Sequence, residues 1–115
     1  MSKNANEPTR STTEDLEFRL SASGSLVLAY ADALRAIAEL TQRGMRLEHW
    51  EGQVVLTDGT RARSLWHGGS FALSREPARA ASVATAGITK ARESWDRKPE
   101  YVGAELQFRL SFART

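Results

Sequence analysis

The hydrophobic pattern is sharpest between Glu105 and Phe112, where Leu106, Phe108, Leu110 and Phe112 alternate with Glu105, Gln107, Arg109 and Ser111. A period of two is what a half-buried strand requires, with the four apolar side chains on one side. The hexapeptide Leu16-Glu17-Phe18-Arg19-Leu20-Ser21 echoes Leu106-Gln107-Phe108-Arg109-Leu110-Ser111 and predicts a second strand of matching pattern. Paired in one sheet, the two would set Arg19 and Arg109 on the face opposite the Leu and Phe residues.

From Leu26 to Arg43 the spacing predicts a helix, rich in Ala, Leu and Glu and stopped by Gly44. Its polar residues Asp32, Arg35, Glu39, Gln42 and Arg43 fill an arc only about 100° wide at 100° per residue. A helix lying on one sheet normally shows a broader polar side. The excess of apolar surface predicts a further cover, either another element or a second copy of the chain. Leu26, Ala29, Ala33, Ala36 and Leu40 are then candidate contacts of a homodimer.

Between Met45 and Ser74 three turn signals recur: Glu51-Gly52, Asp58-Gly59 and Gly68-Gly69. Asp-Gly and Gly-Gly suit two-residue hairpins. Pairing outward from Asp58-Gly59 sets Val55 against Ala62 and Val54 against Arg63; pairing from Gly68-Gly69 sets Trp66 against Phe71 and Ser64 against Leu73. The core face would carry Val55, Ala62, Ser64, Trp66, Phe71 and Leu73, and the other face Val54, Leu56, Arg61, Arg63, Leu65 and His67. Upstream, Met45 and Leu47 fall out of phase unless a bulge near Gly52 intervenes, which leaves open one long strand or two short ones. A second helix is expected from Glu76-Pro77 to about Asp96, stopped by Lys98-Pro99, with Ala80, Ala84, Gly87, Ile88, Ala91 and Trp95 as its buried stripe. Gly87 in its interior implies close packing.

These elements predict an α+β fold: an antiparallel sheet of four to five strands in β-α-β-β-(β)-α-β order, with both helices on one face. If residues 70–74 are loop, a ferredoxin-like arrangement is the variant. Residues 1–15 lack large apolar side chains after Met1 and read as a disordered tail, and residues 16–115 as one domain. Gly68-Gly69-Ser70-Phe71-Ala72-Leu73-Ser74 followed by an amphipathic helix to Lys98 resembles the last strand and helix of ribosome hibernation factors, which implies ribosome binding. That stretch contains no diagnostic motif, and the strand expected after the second helix is extra to the pattern.

Sixteen Lys plus Arg against fourteen Asp plus Glu leave a net charge of +2, too little to draw nucleic acid unless the cations cluster. With no Cys, disulfides, thiolate nucleophiles and Cys-based zinc sites are excluded. No stretch approaches a membrane span and no apolar run precedes Leu16, so a cytoplasmic protein is expected.

Candidate chemistry is sparse. His49 and His67 are the two imidazoles, without carboxylates at metal-ligand spacing, so neither metal nor cofactor is expected. Ser70 lacks a nucleophile-elbow frame, and Gly87-Ile88-Thr89-Lys90 lacks phosphate-loop spacing. The stronger candidate is a surface. Arg19, Arg61, Arg63, His67 and Arg109 would gather on the open sheet face among Val54, Leu56 and Leu65, with Glu17 and Glu105 diluting the charge. Arginine among aliphatics without aromatic platforms suits protein recognition. The expectation is a small non-catalytic binding or regulatory module, an accessory subunit or inhibitor of a larger complex, acting as a homodimer. A nucleic-acid-binding protein using the same face is the alternative, and a small-molecule enzyme ranks third.

Overall fold

A computed structural model describes residues 12–56, 58–59, 61–62, 67–68, 76–97 and 103–114. They form α1 (Thr13–Ser23), β1 (Leu26–Ala29), α2 (Tyr30–Gln42), β2 (Met45–Val55), β3 (Arg61–Ala62), β4 (His67–Gly68), α3 (Pro77–Asp96) and β5 (Glu105–Arg114). The class is α+β. Three longer antiparallel strands lie in the order β1-β5-β2, and the two-residue β3 and β4 both pair with β2. This order does not establish a ferredoxin-like arrangement, and three helices stand where two were expected.

The extra helix is α1, which replaces the strand expected at residues 16–21. Leu16 and Leu20, alternate positions in a strand, are also i and i+4 in a helix, so the same letters serve one helical face. Local chemistry decides for the helix. Thr12 caps it by accepting a hydrogen bond from the Asp15 backbone N–H at 3.1 Å, Glu14 and Asp15 sit in the first turn, and Gly24 closes the end at φ 83°. Leu16 and Leu20 are buried, and Phe18, apolar in the strand pattern, is left 73 % exposed.

The helix expected over residues 26–43 divides. Leu26–Ala29 alternate buried and half-buried as β1, and α2 begins at Tyr30 and stops before Gly44, whose φ is 86°. Ala33, Ala36, Ile37 and Leu40 of α2 share one core cluster with Leu16 and Leu20 of α1, Ala80, Ala84, Ile88 and Ala91 of α3, and Leu106, Phe108 and Leu110 of β5. The apolar excess of α2 is thus covered by α1, α3 and the sheet within one chain. Each fully buried Leu, Ile or Phe in that cluster contributes about 1.5–3 kcal/mol relative to exposure.

β2 is one long strand paired with β5 from Met45 opposite Arg114 to Val55 opposite Glu105, with an irregularity between Leu47 and His49. The bulge left open at Gly52 is not there; the irregularity falls earlier, between Leu47 and His49. It puts Met45 and Leu47 on the same face as Trp50, Gly52 and Val54. The hairpin register differs from expectation: Val55 opposes Arg61 and Val54 opposes Ala62. The connection is longer than two residues, so Ala62 falls opposite Val54 instead of Val55; Val54 itself lies on the core face, paired with Leu106 of β5, and is 7 % exposed. The expected pairs of Trp66 with Phe71 and Ser64 with Leu73 lie outside the described residues.

α3 matches expectation in extent and in its buried stripe of Ala80, Ala84, Ile88 and Ala91, with Trp95 partly buried. β5 places Leu106, Phe108 and Leu110 in the core as its alternation requires. The Phe108 ring lies 6.1 Å from Trp50 and 6.4 Å from Tyr30, both tilted. Tyr30 also contacts α3, with its hydroxyl 3.2 Å from Thr89 Oγ1 and Arg92 over its ring at 5.4 Å.

Candidate functional site: the sheet face away from the helices

Because the helices pack on the side of the sheet that carries Leu106, Phe108 and Leu110, the alternate residues define a second face with no described element across it. Register sets Val27, Arg109 and Glu51 in one cross-strand row, and Ala29, Gln107 and Gln53 in the next. Val55 and Glu105 form a third row, with His49 opposite Ser111 at the other end.

Arg109 stands at the centre. In the amide orientation that its neighbours require, Gln53 Oε1 accepts two hydrogen bonds from Arg109, at 3.1 Å from Nε and 3.3 Å from Nη2. Gln53 is 7 % exposed although it lies away from the hydrophobic core. A neutral amide thus holds a charged guanidinium by two of its donors. Glu51, directly across from Arg109, approaches His49 instead, with Oε1 3.8 Å from Nε2, and Arg46 lies 3.6 Å from Glu48. No carboxylate among the described residues forms an ion pair with Arg109, so its charge stays available.

Of the five arginine and histidine positions expected on this face, the structure brings one there as a described side chain, Arg109. Arg61 and His67 occupy backbone register positions opposite Val55 and Glu51, and Arg63 lies outside the described residues. Arg19 does not join them. It sits exposed on α1, in the helical layer, because residues 16–21 are not a strand. Glu17, expected to dilute the face, lies there too, with Oε1 3.6 Å from Arg43.

The candidate dimer contacts also move. Ala33, Ala36 and Leu40 are 0 % exposed and Leu26 is 1 % exposed, so these four belong to the core of their own chain. Ala29 is half-buried at the end of β1. Alternation with Leu106 places Gln107 on this face from sequence alone, whereas Gln53 is missed, because the expected hairpin register sets Val54 on the open face and so its neighbours on the core side.

Among the described residues no group of three or more His, Asp or Glu is arranged to hold a metal ion, and no helix is long and apolar enough to cross a membrane. A cleft of about 220 Å³ opens on the helical side, between α1 and the ends of β2 and β5, lined in part by Glu17, Leu20, Met45, Phe112 and Arg114. It includes neither histidine. No protein-family model matches this sequence, and neither a curated protein nor a solved structure matches it. The resemblance to ribosome hibernation factors therefore gains no support.

Proposed function

We propose that this chain is a small binding module that works through protein–protein contact on the sheet face away from its helices, with Arg109 as the anchor. The observation that carries the reading is the pair of hydrogen bonds from Arg109 to Gln53. An arginine already held in place loses little side-chain entropy when a partner engages its remaining donors, and arginines of this kind are enriched among interface hot spots. The surroundings suit a protein partner. Val27, Ala29 and Val55 offer half-buried apolar surface beside Gln107 and Ser111, a composition close to that of non-obligate interfaces.

Charge favours protein over nucleic acid. Glu48, Glu51 and Glu105 share the region with Arg46 and Arg109, so the described face is mixed and would gain little from counterion release. The test is affinity capture from the native host with the full chain, nuclease-treated, comparing the unaltered protein with Arg109→Ala and with Lys90→Ala on the exposed side of α3. Retention of one partner by the unaltered chain and Lys90→Ala, but not by Arg109→Ala, is the expected result. Equal retention by Arg109→Ala overturns the assignment of the face. Recovery of DNA or RNA that elutes steeply with salt in untreated samples replaces the protein reading with the nucleic-acid one.

A further inference from the structure

The cleft on the helical side is built from one stripe of α1 and the ends of two strands. Glu17, Leu20, Ser21 and Gly24 recur at the three- and four-residue spacing of a single helical face, and all four line the cleft. On the sheet, the alternation of β5 runs on past Leu110, so Phe112 and then Arg114 take the core side, with Leu47 and Met45 as their cross-strand partners. α1 ends at its Gly24 cap, and this corner of the sheet is incompletely covered. Phe112 is half-buried and Arg114 exposed, beside Leu20 and Met45, which are 7 % and 6 % exposed. Apolar surface from Leu20, Met45 and Phe112 therefore shares one lining with a carboxylate, Glu17, and a guanidinium, Arg114.

These two opposite charges do not satisfy each other. Glu17 turns Oε1 to Arg43, 3.6 Å away, and forms no salt bridge with Arg114. A carboxylate held by one guanidinium keeps further lone pairs free to accept, and Arg114 supplies donors in a planar fork suited to a carboxylate. We infer that the cleft binds a free apolar α-amino acid. Its ammonium group meets Glu17, its carboxylate meets Arg114, and its side chain lies against Leu20, Met45 and Phe112. Size agrees with that class: the cleft holds about 220 Å³, below the roughly 300–1,000 Å³ of sites for drug-sized ligands. A simple apolar acid or amine would answer one charge and leave the other without a counterion, so the zwitterion is the ligand that matches both. This inference does not rest on the partner reading above, since the cleft lies on the other side of the sheet from Arg109.

The probe is L-leucine, titrated to about 20 mM into the isotope-labelled full chain, a range that saturates a site with a dissociation constant of about 1 mM. The expected result is saturable amide shifts at Leu20, Gly24, Phe112 and Arg114, and none with glycine, which has no apolar side chain to bury. Isocaproate lacks the amino group of L-leucine and isopentylamine lacks its carboxylate. Each should bind about tenfold more weakly, the loss of one charge-assisted hydrogen bond. Arg114→Gln should weaken L-leucine and isocaproate while leaving isopentylamine unchanged. Glu17→Gln should weaken L-leucine and isopentylamine while leaving isocaproate unchanged. A merely structural effect of either substitution would instead lower all three ligands together. No saturable shift with L-leucine, isocaproate binding as tightly as L-leucine, or a loss in either variant that falls equally on all three ligands each overturns the proposal.

Discussion

A β-carbon added to Gly87 would stand 2.8 Å from Cζ2 of Trp50, a buried ring on the core face of β2. That contact explains a glycine in the middle of α3. Gly87→Ala gains about 1 kcal/mol of helix propensity but overpacks against the indole, at a cost of about 1–3 kcal/mol. The variant should unfold at lower urea than the unaltered chain. Trp50→Phe removes the ring atoms in question, so in the Gly87→Ala background it should cost less than it does alone. A double-mutant cycle with no coupling beyond about 0.5 kcal/mol would remove this account.

Gly24 makes a useful contrast. Its φ is +83° and an added β-carbon meets nothing within 4 Å, so Gly24→Ala tests backbone conformation with no steric neighbour. The left-handed region costs an L-residue about 1–2 kcal/mol. At the other end of α1, Thr12→Ala removes the cap to Asp15 and should cost about 1 kcal/mol. Both losses should appear as faster amide exchange across α1, with smaller changes in α3.

Ala36 and Ala38 lie two residues apart on α2, one buried and one exposed. Ala36→Glu forces a carboxylate into a core cluster bounded by three helices and the sheet, a cost of several kcal/mol against a domain stability of about 5–15 kcal/mol. Its circular dichroism and tryptophan emission should be those of an unfolded or partly folded chain. Ala38→Glu should be indistinguishable from the parent. A folded Ala36→Glu that had merely lost mass in light scattering would instead restore α2 as a subunit contact.

The sequence made β5 and α3 legible because each pattern had one interpretation. Alternation over Leu106–Phe112 fits no helix, and the small residues from Ala80 to Ala91 recur at helical spacing between Pro77 and Pro99. It misled over residues 16–43, where Leu16 and Leu20 satisfy period two and i,i+4 equally. There the decisive information lay in the ends, in Thr12 with Asp15 and in Gly24, and not in the apolar positions. Taking Leu26–Ala29 as helix followed from that error, since Ser21 to Ser23 are the last turn of α1 and Gly24 is its cap. The sheet face away from the helices was legible through β5 alone. Arg109 was placed by alternation, whereas Arg19 was carried along by the strand that does not form. The Gln53 partnership lay beyond reach, because it depends on a cross-strand neighbour whose register shifts at the irregularity near His49.

Gln53→Ala isolates what holds Arg109. The amide is nearly buried, so its loss leaves a small gap and frees two guanidinium donors that water can then satisfy; the stability cost should stay within about 1 kcal/mol. The mobility of Arg109 should change far more. In the unaltered chain its Nε–H, bonded to Gln53 Oε1 at 3.1 Å, should be protected from solvent exchange and give a persistent side-chain resonance at neutral pH. In Gln53→Ala that signal should broaden or vanish while the backbone spectrum of β5 holds its pattern. If an ordered guanidinium is what a partner meets, Gln53→Ala should weaken capture in parallel with that loss, by up to about tenfold, since re-ordering one long side chain costs about 0.5–1.5 kcal/mol. A partner bound equally well by Gln53→Ala would show that the order of Arg109 contributes nothing to recognition. The contact would then have to come from Val27, Val55 and the amide of Gln107 on the same face.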